Sequence, residues 1–188
     1  MAIVLNQVTD YLDRRGWRYH AEPERSHIIT GVAAENVERF LIGIQLKDEG
    51  KVVSLVAPQL LMVKDHGYKR EVLRCLLAIA WEVKLLRWEY DPRNGEIRAS
   101  VCLLLEDTSL TERQFNRALG ALIQMVDEVS MPRLKEVLAT GIDPGRQGLQ
   151  ASLLEMLQQL QELIPSEDRA ALQAELNRRM ADETEYQG

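Results

Sequence analysis

The spacing of apolar residues changes period several times along this chain, and each change marks an element. Between Ala2 and Arg15, the residues Val4, Val8, Tyr11 and Leu12 fall on one stripe at helical spacing. Gly16 can take the left-handed conformation that closes a helix. From Trp17 the period drops to two: Trp17, Tyr19 and Ala21 alternate with Arg18 and His20, and Pro23 ends the run. His27 to Ala34 is a second extended run, containing Ile28, Ile29 and Val32. Glu38 to Lys47 is the clearest strand, with Phe40, Ile42, Ile44 and Leu46 on one face and Leu41, Gly43 and Gln45 on the other. Asp48-Glu49-Gly50-Lys51 reads as a turn, and Val52 to Ala57 returns as the antiparallel partner until Pro58 stops it. The pattern predicts a helix followed by a meander of three or more strands.

The second half returns to the helical period. Tyr68 to Lys84 carries a wide apolar face of Val72, Leu73, Leu76, Leu77, Ile79, Ala80 and Val83, as a helix packed on a sheet with neighbours on both sides would. Leu86, Trp88 and Tyr90 then alternate with Arg87 and Glu89. Pro92 suits the first central position of a turn, and Asn94-Gly95 suit left-handed positions. Glu96 to Leu105 follows as a strand, with Ile97, Ala99, Val101, Leu103 and Leu105 opposite Arg98, Ser100, Cys102 and Leu104. Thr111 with Gln114 fits a capping box, as does Ser109 with Glu112. The helix they open uses Phe115, Leu119, Leu122, Ile123 and Val126 as its buried stripe. Pro132 predicts a kink or restart near Ser130, and Gly141 closes the resumed series of Leu134, Val137 and Leu138. Residues 141–148 read as a linker. Two tail helices follow, separated by Pro165, with Leu149, Leu153, Met156 or Leu157, Leu160 and Leu163 in the first and Leu172, Leu176 and Met180 in the second.

The sequence Trp81-Glu82-Val83 runs into Leu86-Arg87-Trp88-Glu89-Tyr90-Asp91-Pro92, then the Asn94-Gly95 turn and the Ile97–Leu105 strand. Leu110-Thr111-Glu112-Arg113-Gln114-Phe115 opens the last long helix. On these patterns the chain resembles the YbjN family and the wider type III secretion chaperone-like fold over residues 1–140. The resemblance implies an α+β domain of order α-β-β-β-α-β-β-α, an antiparallel sheet packed by helices. It implies a domain that is often dimeric and binds other polypeptides, holding an extended client segment against sheet and helices. It carries over no functional residue. The chain departs from the pattern in its helical tail, residues 149–188.

Charge sharpens this division. The chain holds 23 Lys/Arg against 29 Asp/Glu, and residues 147–188 contain only 3 of the former but 8 of the latter. The acidity therefore belongs mainly to the tail, and no clustered basic stretch marks a nucleic-acid footprint. No apolar run reaches the ~18 residues that would span a bilayer. The N-terminus turns polar too quickly for a signal peptide. Cys75 and Cys102 imply no disulfide framework, so a reducing cytoplasm is the expected location.

Candidate chemistry is sparse. His20, His27 and His66 stand at no spacing typical of zinc sites, and neither cysteine has a positioned base. The adjacent pairs Glu106-Asp107 and Asp127-Glu128 are explained by capping and solvation, because neighbours on a helix do not face each other. No catalytic, cofactor or metal site is expected. The remaining signal is apolar. Leu41, Val53 or Leu55, Cys102 and Leu104 are expected on the second face of the sheet, and Trp81 stands apart from the main helical stripe. Leu41, Leu55, Trp81, Cys102 and Leu104 are the partner-binding candidates of a non-enzymatic module. That module would bind a partner polypeptide, or a second copy of itself, through a sheet face, a sheet edge or a tail helix. The alternatives are a small-molecule-binding regulatory domain and a dimeric scaffold.

Overall fold

The structure is a computed structural model that describes residues 2–105 and 108–145. The chain divides into two units, residues 1–143 and 144–188, and the first is described here. The expected tail helices, residues 146–148 of the linker and the Glu106-Asp107 pair lie outside the described residues.

Helix α1 (Ala2–Arg14) is followed by four strands, β1 (Tyr19–Glu22), β2 (His27–Ala33), β3 (Arg39–Lys47) and β4 (Val52–Met62). Helix α2 (Lys69–Glu82) leads to the hairpin of β5 (Arg87–Asp91) and β6 (Glu96–Leu104). The unit closes with α3 (Glu112–Gln124), a π-helical turn (Met125–Ser130) and α4 (Met131–Thr140). All strands pair antiparallel in one sheet of order β1-β2-β3-β4-β6-β5. This is the expected α+β architecture, with all four extended runs of the first half forming strands.

One face of the sheet is buried, as the alternation of β3 requires. Phe40, Ile42, Ile44 and Leu46 join Ile28, Val53, Leu55, Ile97 and Val101 in a core that also takes Leu12, Ile79, Phe115, Leu119 and Leu122 from the helices. At ~1.5–3 kcal/mol per large apolar side chain, this burial is the main stabilising term. Thr111 caps α3 as its sequence predicts: its hydroxyl accepts the Gln114 N–H at 3.2 Å, and its own N–H reaches Gln114 Oε1 at 3.0 Å. Ser109 does not serve as the cap.

Pro58 does not stop β4. Pairing with β3 ends at Val56, so Pro58 lies where the ladder to β3 asks for no N–H. A bulge between Ala57 and Leu61 carries the strand past it, with Gln59 at φ 51°. Pro132 does mark a restart: the π-helical turn precedes it, and it occupies the first turn of α4.

Two buried charges fasten loops to this frame. Asp127, in the π-helical turn, is not a solvated surface carboxylate. Its oxygens accept the backbone N–H groups of Glu35, Asn36 and Val37 at 2.9, 2.8 and 2.8 Å, which fixes the β2–β3 loop. Arg133 of α4 donates from Nε to Asp143 Oδ1 at 2.5 Å and from Nη2 to Oδ2 at 2.9 Å. Its Nη1 reaches Glu82 Oε2 of α2 at 2.8 Å. These partners hold the Arg133 guanidinium firmly protonated.

Candidate functional site

Helix α2 carries more apolar residues than one buried stripe can use. Val72, Cys75, Leu76 and Ile79 enter the core. Leu77 and Trp81, four residues apart, instead face outward at 73% and 79% exposure, and Leu85 in the link to β5 is 62% exposed. The expectation of a helix covered on both sides therefore holds for only part of its apolar face. Beside Leu77 a groove of about 200 Å³ opens between α2 and β5, walled by Leu73, Leu76, Leu77, Trp88, Glu89 and Tyr90. Trp88 is half-buried, packed against the core from this groove.

β5 is the last strand of the sheet and pairs only with β6. Its outer row of backbone N–H and C=O groups has no strand partner among the described residues. The sequence Arg87-Trp88-Glu89-Tyr90-Asp91 has no proline, no lysine and no bulge, but three of its 5 side chains are charged, which is one way an edge strand is guarded. The opposite edge, β1, has 4 residues and ends against Pro23, as β5 ends against Pro92.

Alternation gives β5 two different sides. Trp88 and Tyr90 point toward the α2 groove, while Arg87, Glu89 and Asp91 join a polar row with Arg98 and Ser100 of β6. Glu89 accepts from Arg87 Nε and Nη2 at 2.9 and 2.6 Å, from Arg98 Nε at 2.6 Å and from Ser100 Oγ at 2.9 Å. Burial pushes the Glu89 carboxyl up, but the hydrogen bonds from Ser100, Arg98 and Arg87 outweigh it and leave it below its ordinary value. Asp91 is held at about 2 by the side chain and backbone N–H of Arg93.

The other face of the sheet is uncovered among the described residues. Leu41 and Leu104 stand on it at 52% and 71% exposure, and the Cys102 thiol is exposed there. Leu55 is not a partner-binding residue. It is fully buried, as is Val53, because Leu55 pairs with Ile44 and Val101 on the core side. The apolar residues that β4 contributes to the open face are Val52 and Val56, both half-buried. The candidates thus separate into two surfaces. Trp81 belongs to the exposed side of α2; Leu41, Cys102 and Leu104 belong to the open sheet face.

Strand order, helix placement and these surfaces can be set against solved structures. YbjN from E. coli superposes with a TM-score of 0.55 at 14% identity, over 70% of this chain and 92% of that one. The domain has a YbjN-like fold. Two further similar structures are the HopA1–SchA chaperone–effector complex and the ExsC–ExsE complex. The first has a TM-score of 0.47 and 13% identity, over 67% of this chain and 93% of that chain. The second has 0.48 and 16%, over 68% and 90%. No protein-family profile and no curated protein matches the chain.

Two of the candidate side chains of the YbjN-like domain serve the fold. Cys75 is buried, and its thiol is pushed up to about 12, first by burial and then by the Asp143 charge, which makes it a poor nucleophile. His66 Nδ1 accepts the Tyr68 N–H at 3.1 Å at the start of α2. Among the described residues no three His, Cys, Asp or Glu side chains converge as metal ligands would. None of their helices is long and apolar enough to cross a membrane. Leu77, Leu85 and the arginine row are the functional candidates that the sequence pattern alone left out. The i, i+4 spacing of Leu77 and Trp81 was the available signal.

Proposed function

We propose that this domain is a polypeptide-binding module that captures an extended partner segment by strand addition at the β5 edge. The observation that carries this reading is the outer row of the β5 backbone, which has no strand partner among the described residues and lies beside the groove walled by Leu77 of α2. Main-chain hydrogen bonds to β5 would supply affinity, and the groove against α2 would receive alternate apolar side chains. The role is one of binding and not of catalysis. A second copy of the chain could take the same edge, since Arg87 and Glu89 of two antiparallel β5 strands are complementary in charge. The exposed Leu41 and Leu104 favour a second reading, in which the partner lies on the open sheet face.

Hydrogen exchange on the captured complex distinguishes these readings. The full chain and a Leu77→Glu/Trp81→Glu variant are used in parallel to capture partners from a native lysate. Strand addition predicts loss of the partner by the variant, an unchanged melt, and slowed exchange of β5 amides in the wild-type complex. Retained capture, with protection confined to the strands around Leu41 and Leu104, refutes the edge in favour of the open face.

A further inference from the structure

We infer that the segment accepted at the β5 edge is held as a triplet, aliphatic–x–aliphatic, by the main chain of Trp88 and Tyr90. The inference rests on the strand-addition reading and names the chemistry of its partner. An antiparallel strand divides its main chain between two neighbours: alternate residues turn N–H and C=O to one side, and the residues between turn theirs to the other. Both ends of that alternation are fixed in β6. The Gly95 C=O accepts the Val63 N–H at 2.8 Å, and the Leu105 N–H donates to the Lys51 C=O at 2.7 Å. The odd-numbered residues of β6 therefore face β4, and Glu96, Arg98 and Ser100 face β5. Opposite them stand Asp91, Glu89 and Arg87, whose main-chain groups are committed to β6. The Asp91 C=O is accordingly turned inward, where it accepts the Gly95 N–H at 2.8 Å. Trp88 and Tyr90 point theirs at the open edge, and no described residue bonds to them.

The usable edge is short. The next outward position beyond Tyr90 is Pro92, which has no N–H, and at the other end Leu86 lies outside β5 and is buried. A residue of an added strand shares its face with the β5 residue it opposes, at a Cβ separation of ~4.5–5.5 Å. The residues opposite Trp88 and Tyr90 therefore enter the groove between α2 and β5. Its walls, Leu73, Leu76 and Leu77 from α2 and Trp88, Glu89 and Tyr90 from β5, are apolar or aromatic apart from Glu89. The Glu89 carboxylate turns to the far face, where it accepts from Arg87, Arg98 and Ser100. The groove volume of about 200 Å³ exceeds the ~150 Å³ that holds one benzene ring and falls short of two rings, so it suits two branched aliphatic side chains. The middle residue of the triplet lies on the far face. There Arg87 and Arg98 pair with Glu89, and Arg93 pairs with Asp91, so both signs are present and its charge is not selected.

The test uses the full chain and fluorescein-labelled, end-capped peptides of roughly seven residues, a serine frame around a central triplet that spans β5 with some overhang. The triplets are Leu-Gln-Leu, the same with glutamate or lysine in the middle, the composition-matched Leu-Leu-Gln, and Trp-Gln-Trp. Binding is read by anisotropy, and hydrogen exchange resolved by residue reports the edge. In the free chain the Glu89 amide should exchange slowly and those of Trp88 and Tyr90 quickly; Leu-Gln-Leu should slow the latter two. It is expected to bind about tenfold tighter than Leu-Leu-Gln, which seats one leucine at a time, and tighter than Trp-Gln-Trp. The glutamate and lysine forms should match it within about twofold at physiological salt. Leu77→Glu, at an exposed wall position, should narrow the tenfold difference with an unchanged melt. Equal binding of Leu-Gln-Leu and Leu-Leu-Gln, with Trp88 and Tyr90 protected, overturns the triplet and leaves strand addition standing. Tighter binding of the tryptophan peptide, or a tenfold spread between the glutamate and lysine forms, does the same. Failure of every peptide to slow Trp88 and Tyr90 overturns both. Protection of these amides that rises with protein concentration alone, with a doubled mass, assigns the edge to a second copy and overturns the inference.

Discussion

Replacing Asp127 by alanine removes both oxygens that hold the β2–β3 loop. Oδ1 accepts the N–H groups of Asn36 and Val37, and Oδ2 that of Glu35, at 2.8 to 2.9 Å. A hydrogen bond to a charged group contributes ~1.5–3 kcal/mol. Glu35 and Asn36 are exposed, so water re-solvates their N–H groups and only part of that total is lost. The expected cost is about 2–4 kcal/mol, which lowers Tm by roughly 6–14 °C in a domain of this size. Asp127→Asn keeps one acceptor but turns an amino group toward the remaining N–H, for ~1–3 kcal/mol. The two variants share a second signature. Burial pushes the Asp127 carboxyl up, but the backbone N–H groups of Glu35, Val37 and Asn36 outweigh this, so its folded value lies below the ordinary 3.8. As pH falls, the unfolded chain takes up the proton first. The contribution is therefore complete above the unfolded value and fades as pH drops through the folded one. The difference in Tm between wild type and Asp127→Asn should shrink as pH falls below about 4. Calorimetry of the full chain across that range, with hydrogen exchange at residues 35–37, checks both. An Asp127→Ala melt within ~1 °C of wild type, with those amides still protected, refutes the reasoning.

Three other substitutions or labels probe the frame. Leu76→Asp places an unpaired charge in the core beneath α2 and should cost about 4 kcal/mol or more, abolishing the cooperative melt; an unchanged transition would remove α2 from the core. Gly95→Ala should lower the urea midpoint by the equivalent of ~2–4 kcal/mol, because Gly95 sits at φ 80° and an added Cβ would lie 2.3 Å from Lys64 N. A midpoint equal to wild type would show that this turn relaxes freely. A thiol reagent at neutral pH should modify one cysteine of the native protein, Cys102, and both after denaturation. Fast native labelling of Cys75 would contradict its burial.

The alternation of β3 and the capping box of α3 were legible because each depends on neighbours within a few residues. Leu55 was misplaced although the decisive signal was present. The turn at residues 48–51 makes Lys47 and Val52 partners, and cross-strand partners share a face, so Ile44 takes Leu55 to the core. Pro58 misled because its effect depends on where β3 ends, which is not local. The split of α2 into a buried stripe and an exposed lip depends on how far α4 and β5 extend over it. Asp127 and the Glu89 row could not be read at all: their partners lie up to 92 and 11 residues away. Sequence periodicity reports which face is apolar, not whether another element comes to cover it.

The Arg133 cluster determines where this chain can be divided without harm. The last helical turn ends at Thr140, and a division there follows naturally from the sequence pattern. It would also remove Asp143, leaving a guanidinium that is 9% exposed with Glu82 as its one carboxylate partner. Stripping a buried cation of its main counter-ion costs roughly 3–5 kcal/mol, a large share of what a domain has to lose. Three residues beyond the helix are thus part of the electrostatic interior. A chain that ends at Thr140 has lost an anion that the buried Arg133 guanidinium uses, so the end of the last helix is not the end of the folding unit.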